Sequence, residues 1–235
     1  MRPSKPSPAK PSQDKASITP KSKLYRFRVD NWLSVADANL LLQKQAELAV
    51  KKKDYSRALS LFDRLIAYEP DRAEHFNNRG LVHYAAQHWA RAESDYNHAI
   101  ALNPDQDRAY NNRANLHAVQ QNWAEAIADY DTAIDINPLN IRARLNQAIT
   151  FREISDYEEA LACLDIALLF VGASTSDRSR FLRASIYAER GRTHHLQGGW
   201  NCAIADYRKA IALSTNETVT RRVDRWMSAL TQPCW

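Results

Sequence analysis

Glycine is scarce in this 235-residue chain, with five residues in all. A nucleotide-binding loop needs several glycines close together so that backbone N–H groups can cradle phosphate, and no such loop is present. Paired catalytic carboxylates and a nucleophile beside a base are also missing, so no enzyme is expected and no cofactor is implied. No apolar run approaches the roughly 20 residues of a membrane-spanning helix. The N-terminal residues lack the apolar core of a secretory signal. A soluble, cytoplasmic protein is therefore expected, with peripheral membrane association left open. Cysteine is limited to Cys163, Cys202 and Cys234, an odd number without metal-ligand spacing. The first two are expected to be reduced, packed side chains inside helices. Cys234 has nothing near it in sequence to activate it.

Charge and proline are sorted unevenly. Residues 1–23 hold Pro3, Pro6, Pro8, Pro11 and Pro20, with the cations Arg2, Lys5, Lys10, Lys15, Lys21 and Lys23 against a single acid, Asp14. The resulting +5 equals the net charge of the whole chain, so residues 24–235 are neutral overall. A tail with so little to bury is expected to be disordered. Three roles stay open for it: a solubilising linker, an electrostatic tether to anionic lipid or RNA, or a Pro-rich ligand for another protein. A globally basic fold for nucleic acid is disfavoured, since the charge is not on the remainder of the chain. Residues 24–38 read as a lead-in, where Ser34 with Asp37 offers an N-cap and Trp32 and Leu33 can pack on the first helical unit.

From residue 39 onward the sequence repeats itself every 34 residues. WARAESDYNHAIALNP (89–104) and WAEAIADYDTAIDINP (123–138) share their first aromatic, alanines, tyrosine and Asn-Pro in step. The marker alanines Ala58, Ala92, Ala126, Ala160 and Ala203 are spaced by 34, 34, 34 and 43, so nine extra residues precede the fifth unit. An aromatic stands three residues before each marker (Tyr55, Trp89, Trp123, Tyr157, Trp200), and Phe62, Tyr96, Tyr130, Leu164 and Tyr207 stand four after it. That is one buried stripe at helical spacing. Pro70, Pro104 and Pro138 stop the first three of these helices. Gly172 and Thr215 replace proline in units four and five.

The spacing predicts helix pairs at 39–52/55–68, 73–86/89–102, 107–120/123–136, 141–154/157–170 and 179–197/200–213. The corresponding units are 39–72, 73–106, 107–140, 141–174 and 184–215, with an insertion near 172–183 whose Ser174–Asp177 stretch suits a helix start. Val219, Val223, Trp226, Met227 and Leu230 predict a capping helix within 216–235.

Residues 39–215 resemble the tetratricopeptide repeat family, in its bacterial-type form. The second unit carries Phe76, Gly80, His83, Ala92, Tyr96, Ala99 and Pro104 on the family's aromatic, Leu-Gly, Tyr, Ala, Phe, Ala, Pro pattern, with Arg79 in place of leucine and His83 in place of tyrosine. The resemblance implies an all-α, right-handed superhelical solenoid of five helix pairs with a C-terminal capping helix. It also implies a non-catalytic scaffold, adaptor or assembly factor that holds an extended peptide or helix of a partner protein in its concave groove, without a small-molecule substrate. The alternative is an RNA- or ribosome-associated factor, or a membrane-tethered adaptor, acting through the basic tail.

Within that groove the resemblance places Asn78, Asn112 and Asn146, one per unit, with Asn77 and Asn111 as a second polar row. A side-chain amide both donates and accepts, so equally spaced asparagines can grip a peptide backbone of any sequence. The plainer reading is that they only solvate the face. Lys44 and Glu189 break the row in units one and five. Arg108, Arg142, Arg152 and Arg192 are placed inward, against Glu47, Glu74 and Glu153. Chaperone-binding members clamp a terminal carboxylate with a lysine–asparagine–lysine–arginine set that is incomplete here. Arg108 and Arg142 still favour an acidic or C-terminal segment. His83, His117 and His194 hold equivalent places in different units. Packed helices lie roughly 10 Å apart, so these histidines cannot converge on one metal and are expected to pack in the core. The aromatics before the marker alanines are expected to cement the repeats.

Overall fold

The computed structural model describes residues 34–172, 176–214 and 217–231. It divides into two compact units, Met1–Leu40 and Leu41–Trp235. The cationic tail, Trp32, Leu33 and Cys234 lie outside the described residues, as do Ser174 and Thr175. In the first unit Ser34 forms a reciprocal cap. Its Oγ accepts from the Asp37 N–H at 3.1 Å, and Asp37 Oδ2 accepts from the Ser34 N–H at 3.3 Å.

Eleven helices and no strands are found among the described residues. They run α1 (Val35–Lys51), α2 (Tyr55–Tyr68), α3 (Ala73–Ala85), α4 (Trp89–Leu102), α5 (Asp107–Val119), α6 (Trp123–Ile136), α7 (Ile141–Glu153), α8 (Tyr157–Val171), α9 (Asp177–Gln197), α10 (Trp200–Leu213) and α11 (Glu217–Thr231). Every second helix begins on the predicted aromatic. The first three end just before Pro70, Pro104 and Pro138, which have no N–H to carry the ladder on. In each unit the turn between first and second helix passes through one left-handed residue: Lys53, Gln87, Gln121, Ser155 and Gly198, with φ from 59° to 89°.

All five marker alanines are fully buried. They let each second helix settle against its own first helix, and Tyr96, Tyr130 and Tyr207 fill the space beside them. Gly80 and Gly191 are required by that approach, since a Cβ on either would sit 2.7 Å from the Tyr96 or Tyr207 ring. Clusters then run from unit to unit: Ala73, Phe76 and Ala99 pack with Ala109 of the next pair, and Tyr130 and Ala133 with Ala143. First helices of successive units touch, α3 on α5, α5 on α7 and α7 on α9, whereas α4, α6 and α8 have no comparable contact among themselves. The first helices therefore form the inner, concave row.

A polar strut threads the same stack. Arg79 makes two hydrogen bonds to buried Asp95 (2.9 and 2.6 Å) and a third to Asp63 of the preceding unit. Arg113 repeats this with Asp129 and Asn97, and Arg190 with Asp206 and Asp165. In unit four Gln147 stands in, donating to Asp131 and accepting from the Cys163 thiol. The hydrogen bonds to Asp95 raise Arg79 above the ordinary arginine value, and each guanidinium is a fixed rivet between adjacent pairs.

The nine-residue insertion falls into α9. This helix has 21 residues against 13 in α3, α5 and α7. The excess lies at its N-terminal end, about two turns at 3.6 residues per turn. Ser176 caps it, its Oγ accepting from the Ser179 N–H. At the far end α11 lays Val219 and Val223 against Ala188, Ala203 and Tyr207, with Trp226 and Met227 beside them, and so covers the last pair.

Candidate functional site

The inner row carries the asparagines, and they are bonded to one another. The Asn146 amide donates to Asn111 Oδ1 (3.3 Å), Asn111 to Asn112 (3.3 Å), Asn112 to Asn77 (2.8 Å) and Asn77 to Asn78 (3.3 Å). Asn146 also donates to Asn115 Oδ1 (2.9 Å), which accepts from the Tyr130 hydroxyl at 2.7 Å. The two rows read from the sequence are one relay across three units. Asn77 and Asn111 are buried and serve as the links, whereas Asn78, Asn112 and Asn146 are half-buried. Each amide has two N–H donors and each carbonyl two lone pairs. The three outer asparagines thus keep hydrogen-bonding capacity beyond the relay.

Six of the seven residues singled out for the groove line one cavity of about 440 Å³: Asn77, Asn78, Arg108, Asn111, Asn112 and Arg142. Asn146 is not on its wall and joins it through the relay. Leu81, Leu139, Ile141 and Leu182 supply apolar wall, and Arg178 adds a third guanidinium. Among the described residues no ion pair forms at Arg108, Arg142 or Arg178. Asp107, the one acid on this wall, is held by the amides of Asn137 (2.8 Å) and Asn140 (3.0 Å). The inner helices α5, α7 and α9 together carry ten arginines against four acids, while α6 and α8 carry seven acids and no cation. By sequence α5, α7 and α9 are thus net positive, and α6 and α8 net negative.

Other residues read from the sequence have different places. Arg152 is buried in a 2.6 Å ion pair with Glu189, which also holds Arg222 of α11 at 3.0 Å. Glu189, which breaks the asparagine row, is thereby an anchor for the terminal helix. Arg192 and Arg222 both lie over the Trp226 ring. Glu47 accepts from Gln43, Glu74 pairs with Arg72, and Glu153 with Arg152. Cys202 is exposed, contrary to the expectation of a packed side chain, while Cys163 is buried. Burial pushes the Cys163 thiol up to about 11. Trp200 is also more exposed than a repeat cement should be, at 53 %, lying against His195.

His83 is buried and His117 and His194 half-buried, each in its own unit. His83 Nε2 is 4.0 Å from Asp95, and His117 Nε2 is 3.8 Å from Asp129. Burial lowers His83 and His194 below the ordinary histidine value. No group of three metal-ligating side chains occurs among the described residues.

Sequence reading missed two features. The arginine strut has a signal, since Arg79, Arg113 and Arg190 each stand one residue before the small Gly80, Ala114 or Gly191 and sixteen before a buried aspartate. The contribution of Arg178 and Leu182 has none, because it depends on where the added turns of α9 come to lie.

Tetratricopeptide repeat family models match residues 45–114 and 107–140. No curated protein sequence matches the chain significantly. Among solved structures, MamA 41-end from Desulfovibrio magneticus RS-1 superposes with a TM-score of 0.60 at 12% identity, covering 77% of this chain and 97% of that one. Another MamA crystal structure gives 0.59 at 14% identity, covering 72% and 93%. At such identities these likenesses speak for the fold. Solenoids of this kind characteristically present extended concave binding surfaces. Residues 45–140 are tetratricopeptide repeats, and the paired helices and marker alanines carry the same pattern on through the fifth unit.

Proposed function

We propose that the protein is a non-catalytic interaction scaffold, an adaptor or assembly factor, whose concave groove holds an acidic segment of a partner protein. The observation that carries this reading is the cavity on the inner row, where asparagine amides and unpaired guanidinium groups share one wall. The amides suit peptide groups of any sequence, and the arginines select for negative charge. The field of α5, α7 and α9 has the same sign and would speed encounter with an acidic partner. A preformed surface spares part of the ordering that binding otherwise costs.

Arg108 and Arg142 are the right residues to perturb. Both are exposed and outside any ion pair among the described residues, so changing them leaves the stack intact. Replacing Asn112 instead breaks the bond to buried Asn77 and confuses binding with folding. The test is a native-extract pull-down read by mass spectrometry, comparing the wild type, Arg108→Glu/Arg142→Glu and a chain lacking residues 1–23. A partner held by the wild type and the truncated chain, and lost from the charge-reversed one, supports the groove. A partner indifferent to charge reversal but lost on truncation rejects it in favour of the basic tail.

A further inference from the structure

We infer that the outer face of α8 is a second docking surface, which takes a basic amphipathic helix of a partner protein. It stands apart from the groove and does not rest on the groove reading.

One side of α8 exposes Glu158, Glu159, Ala162, Ile166, Leu169 and Phe170. At 3.6 residues per turn these six lie together, opposite the buried Ala160, Leu164 and Ala167. Leu169 is 79% exposed, Phe170 43% and Ile166 38%, and the Arg144 guanidinium lies over the Phe170 ring. From Ala162 to Phe170 the apolar stripe runs about 12 Å along the helix. The other second helices interrupt it. Where unit four has Ile166 they carry Arg64, His98, Thr132 and Lys209, and where it has Leu169 they carry Ala67, Ala101, Asp135 and Ala212. The packing of a repeat therefore calls for no apolar bulk at either place. A contiguous apolar stripe left open on a surface marks an interaction site.

Charge names the occupant. Glu158 and Glu159 stand on the same face within the two turns before Ile166, outside any ion pair among the described residues. α8 carries no cation, and neither does α6 of the preceding unit, whose Glu125, Asp131 and Asp135 are exposed. This field repels an anionic bilayer. It attracts a partner that sets lysine or arginine beside its own apolar residues. The spacing of Ala162, Ile166, Leu169 and Phe170 (i, i+4, i+7, i+8) forms a ridge along which a second helix packs.

Three labelled synthetic helices of about 18 residues, five turns, test this by fluorescence anisotropy. They share one leucine stripe and differ in the side chains flanking it: lysine, glutamine or glutamate. Wild type is compared with Ile166→Thr/Leu169→Asp, which copies Thr132 and Asp135 of unit three. Glu158→Gln/Glu159→Gln and Arg108→Ala/Arg142→Ala complete the set, with circular dichroism confirming that each variant stays helical. Wild type should bind the lysine helix at least tenfold more tightly than the glutamate helix. Ile166→Thr/Leu169→Asp should weaken that binding at least tenfold, and Glu158→Gln/Glu159→Gln should narrow the gap between the lysine and glutamine helices. Arg108→Ala/Arg142→Ala should bind as wild type does. Equal binding of the lysine helix by wild type and Ile166→Thr/Leu169→Asp overturns the surface and leaves the groove standing. Loss on Arg108→Ala/Arg142→Ala alone overturns it in favour of the groove. Light scattering, and sedimentation with vesicles of phosphatidylcholine and phosphatidylserine, read the other occupants. Self-association or vesicle binding that Ile166→Thr/Leu169→Asp abolishes gives the face to a second copy or to lipid, and overturns the partner helix.

Discussion

Tyr96 and Tyr130 occupy equivalent places one repeat apart, are equally buried, and should respond oppositely to loss of the hydroxyl. Tyr130 donates to Asn115 at 2.7 Å. Tyr96 is fully buried, but its hydroxyl finds no partner among the described residues, because Leu81 stands where unit three has Asn115. A neutral hydrogen bond contributes about 0.5–1.5 kcal/mol net, and a buried unsatisfied group costs about 1–3 kcal/mol. Tyr130→Phe should therefore destabilise by roughly 1 kcal/mol. Tyr96→Phe should stabilise by a similar amount once the small gap it leaves is discounted. For a chain of this size 1 kcal/mol moves the melting temperature by about 2–4 °C, so the two variants should melt roughly 4–8 °C apart.

Thermal unfolding followed by circular dichroism reads the difference. Because repeat arrays can unfold in stages, hydrogen exchange of amides in α3 and α5 should accompany it. A double-mutant cycle sharpens the test: Leu81→Asn should help only while Tyr96 keeps its hydroxyl. If Tyr96→Phe costs as much as Tyr130→Phe, the hydroxyl is not isolated and the reasoning fails.

The packing leads to three further outcomes. Gly80→Ala gains about 1 kcal/mol of helix propensity, but its Cβ meets the Tyr96 ring at 2.7 Å. Overpacking of roughly 1–3 kcal/mol should win, lowering the urea midpoint, and Gly80→Ala/Tyr96→Leu should recover it. Arg79→Met strands buried Asp95 and should cost about 3–5 kcal/mol. Arg79→Met/Asp95→Leu should restore most of that, and equal loss in both variants would contradict the strut. Under iodoacetamide at pH 8, peptide mapping should show Cys202 alkylated well before Cys163, whose thiol is buried and raised to about 11. Modification of both at one rate would contradict the burial.

Most of the architecture is legible because one physical demand recurs at one interval. A second helix can approach its first only where a small residue allows, so alanine returns every 34 residues and the aromatics and prolines keep step with it. Even the exposure of Cys202 is within reach. Its equivalents are Arg57, Arg91, Glu125 and Glu159, all solvent-facing types, whereas Cys163 aligns with Leu61, Asp95, Asp129 and Asp206, all buried. The linking of the asparagines is not legible. Residues 35 apart reach hydrogen-bonding distance only through the offset between neighbouring units, which no spacing rule supplies. The strut hides for a different reason: Arg79 reads as a departure from a leucine pattern, and its buried partner looks like an ordinary repeat residue.

The struts also make the joints between repeats chemically unequal. The first joint is closed by Arg79 with Asp63 and the fourth by Arg190 with Asp165, ion pairs whose aspartates are 59% exposed. The two middle joints match a charge with a neutral amide, Arg113 with Asn97 and Gln147 with Asp131. Mobile ions screen exposed ion pairs over about 8–10 Å at moderate ionic strength, and they act far less on a charge–amide bond. The fourth joint keeps the buried Arg152–Glu189 pair in reserve. The first has the 2.7 Å contact of buried His75 Nε2 with Glu69 across it. Concentrated salt should therefore loosen the two end joints of this array before its middle, where the asparagine relay keeps its shape.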